Sequence, residues 1–344
     1  MTWRTAMQEA LYGSDGFYAK GEPPAAHFRT SVHASPRYSV AVLAMLEATD
    51  AALGHPARLD LVDIGAGQGE LLAQVLGRAD PDLAKRLVAR AVEVAPPPTG
   101  LDCRITWCPS VPKQIAGLVI ASEWLDNVPL DVAGFAVSGP RIVLVDTESG
   151  AERAGPPASA EDIAWLREWW PVAPGDRAEV GHPRCAAWAD VIRRLERGQA
   201  VAADYGHCRE GRPRAGTLAA FKEGRAVRPI PDGSRDITAH VAVDACAAAG
   251  VAAGATQSLI TTQRAALHAL GLSGRRPAMA GAATDPRSYL ADLSQAAQDA
   301  ELTDPAGLGG FSWLVQSVGM VLPEPLARLR HQASRRDQAG RRKG

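Results

Sequence analysis

The stretch LVDIGAGQGELL at residues 61–72 restricts the fold of this chain more than any other. An apolar run of strand type leads to Asp63, three glycines stand at alternate positions after it, and a helical pattern begins near Glu70. Glycine tolerates backbone conformations that other residues avoid, and a helix N-terminus presents unpaired amides. We therefore predict a ligand-binding turn between a strand and a helix, formed by Gly65, Gly67 and Gly69. A tight turn without a ligand is the alternative.

The same loop excludes two phosphate-binding motifs. The dinucleotide fingerprint G-x-G-x-x-G lacks its last glycine here, and the G-K-[ST] of a P-loop is absent. The remaining pattern, acidic-x-G-x-G-x-G, resembles the loop of class I methyltransferases, which bind S-adenosyl-L-methionine. This cofactor carries an ammonium, which can pair with Asp63. Its ribose hydroxyls can donate hydrogen bonds to Glu93, at the end of the next apolar run.

Short apolar runs alternate with helical patterns after residue 55. They are LDLVDIG, LVARAVEVA, AGLVIAS and RIVLVD. This alternation predicts an α/β fold with a mostly parallel, doubly wound sheet. The resemblance of the glycine loop to class I methyltransferases implies that this fold is of their Rossmann-like kind. We assign residues 1–55 to a helical region that packs on the core, and residues 56–325 to the methyltransferase core with an insertion near 148–195.

The second half of the chain gives more local predictions. Ser159 and Asp162 form a capping-box pattern at the start of a helix whose tryptophans, 165, 169 and 170, form either a core-facing stripe or a pocket wall. Gly198 is predicted to be a turn before a strand that ends at Asp204. The segment DITAHVAVDACAAAG, from residue 236, reads as a helix.

Composition and charge exclude several classes of protein. No apolar stretch approaches the roughly 18 residues of a membrane span, and the N-terminus lacks a signal-peptide core, so we expect a cytoplasmic protein without membrane contact. Five cysteines without a C-x-x-C pair argue against a disulfide framework and a metal site. The basic segment 328–344 has few apolar residues and is predicted to be disordered. It has no interleaved aromatic residues, which disfavours nucleic acid as a partner.

Acidic residues also follow two later apolar runs. Glu123 and Asp126 lie in ASEWLDNVPL, and Asp204 with Tyr205 ends another predicted strand. Ligands bind at the carboxyl ends of parallel strands, so we predict these four residues to be catalytic, with Glu123 also near the cofactor. Two carboxylates there can hold a guanidinium. A capping role for Asp126, or a structural arginine paired with Glu123, is the alternative.

Seven ordered segments resemble the MidA-type family of S-adenosylmethionine-dependent methyltransferases, whose mitochondrial members act in assembly of respiratory complex I. They are residues 6–18, 28–42, 122–132, 201–207, 216–224, 236–241 and 262–272. The resemblance implies a Rossmann-like core, S-adenosyl-L-methionine as cofactor and methylation of an arginine side chain on a partner protein or peptide. It also implies that the acceptor is bound by Thr30, Ser31, Trp124, Thr238 and His240.

The chain departs from the family pattern at residues 26–29 and 95–102, near the expected pocket rim. A methyltransferase of small molecules or natural products is therefore one alternative function. An assembly factor that keeps the fold without turnover is another. The sequence leaves open the acceptor, the number of methyl groups transferred and the oligomeric state.

Overall fold

A computed structural model describes residues 1–18 and 30–329. The departure at residues 26–29 and most of the basic segment, 330–344, lie outside the described residues. The helices are α1 (Trp3–Tyr12), α2 (Ser31–Ala34), α3 (Arg37–Ala52), α4 (Glu70–Leu76), α5 (Pro81–Arg86), α6 (Ala160–Trp169), α7 (His182–Arg194), α8 (Val243–Ala252), α9 (Gln263–Ala269), α10 (Ala280–Thr284) and α11 (Pro286–Leu302).

The strands belong to one large sheet and three small ones. They are β1 (Leu59–Ile64), β2 (Leu87–Val92), β3 (Ile105–Cys108), β4 (Ile115–Ser122), β5 (Asp131–Ala136), β6 (Gly139–Val145), β7 (Glu152–Pro157), β8 (Arg177–Val180), β9 (Leu195–Asp204), β10 (Gly206–His207), β11 (Ala219–Lys222), β12 (Arg225–Val227), β13 (Asp236–Thr238), β14 (Val241–Ala242), β15 (Gln257–Thr262) and β16 (Ser312–Val318).

The central sheet has seven strands in the order β15-β16-β9-β4-β1-β2-β3. Strands β3, β2, β1, β4 and β9 pair in parallel, and β16 runs antiparallel to both β9 and β15. Every residue of β1 is buried, as expected for a strand covered on both faces. The predicted α/β fold with a mostly parallel sheet is confirmed.

One apolar run does not belong to this sheet. RIVLVD, predicted as a fourth core strand, forms most of β6 in an antiparallel sheet of order β7-β6-β5-β8. This sheet begins at Asp131, upstream of the predicted insertion near 148–195. A short apolar run is compatible with either sheet type, so its pattern alone could not place it.

Two further predictions are wrong for tertiary reasons. Residues 236–242 form strands β13 and β14, paired with β11 and β10, and the helix begins only at Val243. Gly198 lies inside β9 rather than in a turn. A Cβ there would stand 1.9 Å from the carbonyl oxygen of Gly117 on β4, so glycine is required for the close approach of the two strands.

Apolar residues cover both faces of the central sheet. Helix α3, with Met45 and Leu46, packs on one face, and α7 with Trp188 packs on the other. Trp165 of α6 and Trp170, the C-cap of this helix, are buried in the second cluster, and Trp169 packs against it, which agrees with the core-facing interpretation. The capping box at the start of α6 is present.

The predicted N-terminal helical region is divided between two parts of the fold. Helix α1 packs on the small sheets, with Trp3 and Leu11 in a third cluster, whereas α2 and α3 pack on the central core. None of the helices in residues 1–18 and 30–329 is long and apolar enough to cross a membrane. The same residues contain no group of three or more side chains suited to hold a metal ion.

Candidate active site

A cavity of about 440 Å³ opens at the carboxyl ends of four parallel strands. Its wall includes Ile64 and Val92, the last residues of β1 and β2, Ser122 at the end of β4, and Tyr205 directly after β9. This is the edge at which open α/β sheets bind ligands, and the volume suits a small organic molecule.

The glycine loop forms one wall of the cavity. Gly65, Gly67 and Gly69 have φ angles of +71°, +57° and +82°, which favour glycine strongly. Gly65 and Gly67 line the cavity, and a Cβ on Gly67 would find only Glu70 Oε2 within 4 Å. Gly69 does not line the cavity. It is the N-cap of α4, and a Cβ there would meet Leu101 at 3.0 Å.

Asp63, two residues before Gly65, has no positively charged partner among the described residues. Its side chain is buried, lines the cavity and forms no hydrogen bond or ion pair with the described residues. Burial, and then the charges of Glu93 and Glu70, raise its pKa to about 8. A buried carboxyl of this kind is suited to a ligand that carries an ammonium.

Glu93, which was also predicted to bind the cofactor, is hydrogen-bonded to the glycine loop. Its Oε2 accepts a hydrogen bond from the Gly67 amide at 3.1 Å, and its Oε1 accepts from the amides of Val94 and Ala95. Oε1 thus uses both of its lone pairs, whereas Oε2 accepts only one hydrogen bond and can still accept a second from a ribose hydroxyl.

The acid turn, residues 123–127, forms a second part of the cavity wall. Glu123 has a φ of +53°, a conformation that costs about 1–2 kcal/mol outside glycine and persists only where the surroundings hold it. Its Oε1 accepts the Ser31 amide at 3.0 Å. Burial, and then the charges of Asp126 and Asp236, raise its pKa to about 8. No described arginine pairs with it.

Asp126 is held by a neutral donor. Its Oδ2 accepts a hydrogen bond from Thr238 Oγ1 at 2.7 Å, whereas Oδ1 is buried without a partner. Burial raises the pKa of this carboxyl. Its side chain does not cap the turn. The backbone amides of Leu125 and Asp126 donate instead to Asp204.

Asp204 lies behind the acid turn and does not line the cavity. Its Oδ2 accepts the amides of Leu125 and Asp126 at 2.9 and 3.1 Å. It therefore orients the turn and does not face a bound molecule, which corrects its predicted place in the site. Tyr205 does line the cavity, and burial raises its pKa.

Of the five residues predicted to bind the acceptor, three line the cavity and two do not. Thr30, Trp124 and Thr238 line the cavity. Ser31 contributes only its backbone amide to Glu123, because its buried hydroxyl is hydrogen-bonded to Gln263. His240 is exposed outside the cavity, where its ring stacks on Tyr205 at 5.9 Å between centroids.

Among the cavity residues that were not predicted as site residues, four form a cluster, namely Tyr12, Tyr18, Asn127 and Asp236. Tyr18 Oη and Asn127 Nδ2 donate to Asp236 Oδ1 at 3.1 and 2.9 Å, and Tyr12 stacks on Tyr18. Burial, and then the charge of Asp126, raise the pKa of Asp236 to about 8. Three of the four lie in segments 6–18 and 236–241, but no spacing within those segments indicates a role for them.

Comparison with known proteins identifies the family. Residues 41–261 match the family described as "Putative S-adenosyl-L-methionine-dependent methyltransferase". The chain belongs to this family. No curated protein matches the chain. The result agrees with the MidA-type resemblance and confirms the predicted enzyme class and cofactor.

Two solved structures from Burkholderia thailandensis are similar along most of the chain. One, described as a "likely methyl transferase" bound to S-adenosyl-homocysteine, is 26% identical with a TM-score of 0.76. The other, a native structure described as uncharacterized, is 26% identical with a TM-score of 0.75. Each match covers 93% of this chain and 88% of the other.

The residues of this methyltransferase fit its cofactor. The glycine loop leaves space against the main chain, the unpaired carboxyl of Asp63 would bind the ammonium, and Glu93, directly after β2, would accept a ribose hydroxyl. When bound, S-adenosyl-L-methionine supplies an activated methyl group on a sulfonium.

Proposed function

We propose that this methyltransferase modifies a cationic nitrogen, and specifically an arginine side chain of a partner protein or peptide. One observation carries the proposal: three carboxyls face the same half of the cavity without a cation in contact. They belong to Glu123, Asp126 and Asp236. None of the three forms an ion pair among the residues described here.

The partners of these carboxyls are all neutral. Glu123 accepts a backbone amide, Asp126 a threonine hydroxyl, and Asp236 a tyrosine hydroxyl and an amide side chain. In each case these hydrogen bonds engage one oxygen only, and the second oxygen of Asp126 is buried without a partner. An array of fixed acceptors matches the planar set of donors on a guanidinium.

The chain's own groups would align the acceptor and bind its charge. Hydrogen bonds from the guanidinium to two carboxylates draw positive charge away from the attacking nitrogen, and one of these carboxylates accepts the proton lost on methylation. Tyr12 and Tyr18 provide a stacked aromatic wall, which attracts cations.

The proposal is tested by incubating the protein and radiolabelled S-adenosyl-L-methionine with cell extract. We expect nuclease-resistant label in the macromolecular fraction, recovered as methylarginine after acid hydrolysis. Label confined to small molecules would refute it and favour the small-molecule alternative, and absence of transfer would favour the assembly factor.

A substitution tests the role of the carboxyls. Asp126→Asn keeps an acceptor for Thr238 and removes the charge, so we expect transfer to fall more than tenfold, with cofactor affinity within about threefold of wild type. The matched control is Asp292→Asn, an exposed carboxylate of α11. Normal transfer by Asp126→Asn would contradict the carboxylate hypothesis.

A further inference from the structure

Arg184, on α7, is a fully buried cation that lies outside the cavity wall. Only 1% of its surface is exposed, and arginine is rarely buried to this degree unless it is paired. No carboxylate oxygen of the described residues contacts its guanidinium. All four of its hydrogen bonds go to backbone carbonyls.

These carbonyls belong to two segments of the active site. Nη2 donates to Asp126 in the acid turn, and Nε donates to Val128, the next residue after that turn, at 3.1 Å. Nη1 donates to Ala239 at 2.6 Å and to His240 at 3.1 Å, directly after the strand that carries Thr238. One planar guanidinium therefore fastens the acid turn to β13, the two segments joined by the Asp126–Thr238 hydrogen bond.

The charge of Arg184 acts on the same site. It lowers the pKa of Asp126 and so opposes the effect of burial. The other titratable groups around the pair are acids, phenols, an imidazole and a thiol. Those near Asp126 are Glu123 in its own turn, Asp204 at the end of β9, Asp236 in β13, and the phenols of Tyr12, Tyr18 and Tyr205. Those near Arg184 are Glu179 of β8, Cys246 of α8 and the imidazole of His240, which follows β13.

We propose that Arg184 is a positioning residue, which holds the acid turn against the segment that follows β13 and places a fixed positive charge behind Asp126. It acts from behind the cavity wall and contacts neither cofactor nor acceptor. The benefit to acceptor binding rests on the proposed function, but the effect of Arg184 on Asp126 does not.

Two variants separate the effect of the hydrogen-bonding geometry of Arg184 from the effect of its charge. Arg184→Lys keeps the charge and loses the planar set of donors, whereas Arg184→Met loses both. Arg167→Met, which removes an exposed arginine of α6, is the matched control. Calorimetric titration with S-adenosyl-L-methionine, whose binding residues lie at the other wall of the cavity, confirms that each variant is folded.

The direct measurement is a ¹³C NMR titration of aspartate carboxyls, with the Asp126 resonance assigned from its loss in Asp126→Asn. We expect Asp126 to titrate about one pH unit higher in Arg184→Met than in wild type, and within about half a unit of wild type in Arg184→Lys. An unchanged titration in Arg184→Met would overturn the proposal. If that variant does not bind the cofactor, Arg184→Gln, which retains two donors without charge, replaces it.

Methyl transfer provides the second readout. We expect both arginine variants to lose more than tenfold in transfer to extract, with the pH optimum moved upward only in Arg184→Met. An optimum that stays in place would refute the charge effect, and normal transfer by Arg184→Lys would refute the positioning effect. If Asp126→Asn transfers normally, the proposed function fails, whereas the NMR titration still decides the role of Arg184.

Discussion

Replacing Asp63 by asparagine should abolish a proton release that accompanies cofactor binding. In the free protein the carboxyl is buried and its pKa is about 8, so it is mostly protonated at pH 7. An ammonium placed against it favours the ionised form and lowers this pKa. Binding therefore expels a proton below pH 8, and cofactor affinity rises as the pH rises towards that value.

The magnitude follows from the pKa. At pH 7 a group with a pKa of about 8 is protonated in roughly nine of ten molecules, and ionising it costs about 1.4 kcal/mol, which is tenfold in affinity. Between pH 5.5 and 7.5 the affinity of the wild-type protein should thus gain about one order of magnitude per pH unit from Asp63 alone. Asp63→Asn retains a polar side chain but loses this contribution.

Isothermal titration calorimetry at pH 7, in two buffers of different ionisation enthalpy, counts the protons released. We expect wild type to release about 0.9 proton more than Asp63→Asn, and the variant to bind more weakly with a flatter pH dependence. Glu123→Gln is the control, since it leaves the contribution of Asp63 in place. Equal proton release by wild type and Asp63→Asn would refute the reasoning.

Four further predictions have defined outcomes. Gly67→Ala and Gly54→Ala incur a similar strain of about 1–2 kcal/mol at positive φ, but only Gly67→Ala should weaken cofactor binding in calorimetry, by tenfold or more, because only Gly67 lines the cavity. Asp236→Asn should raise the melting temperature of the ligand-free protein at pH 8 and not at pH 4. The reason is that the unfolded state loses the Asp236 proton near pH 4 and the folded state only near pH 8, so wild type is destabilised as the pH rises between these values; an equal gain at both pH values would contradict this. Asp204→Ala, which frees two backbone amides of the acid turn, should cost about 2–4 kcal/mol in urea unfolding, and an unchanged midpoint would disprove its capping role. Gly198→Ala should prevent folding, because its Cβ would stand 1.9 Å from a carbonyl oxygen of the facing strand, and soluble protein with a native circular dichroism spectrum would refute this.

The cofactor half of the site was predictable because its parts are local. Asp63, the glycine loop and the start of α4 are contiguous in sequence, and Glu93 ends the strand that pairs with β1. A strand, a turn and a helix N-terminus fix one another's geometry over a few residues. The spacing of residue types therefore determined the site, and with it the class of cofactor.

The direction of single side chains was not predictable in the same way. Asp204 and Tyr205 are neighbours at a strand end, yet only Tyr205 lines the cavity. Whether a residue at such an end faces the ligand depends on the path of the chain beyond the strand. For Asp204 that path places two amides of the acid turn within hydrogen-bonding distance, and this interaction fixes the carboxyl behind the wall.

The sequence by itself determined the α/β class, the cofactor loop and the presence of acids at the strand ends, because each rests on short-range periodicity or spacing. Only the tertiary structure decided which residues surround Asp126 and Asp236. Tyr18 and Asn127 meet at Asp236, and Arg184 fastens the acid turn to β13, through contacts between residues 55 to 218 positions apart. Such contacts form when distant segments pack together, and no local pattern encodes which of them will meet.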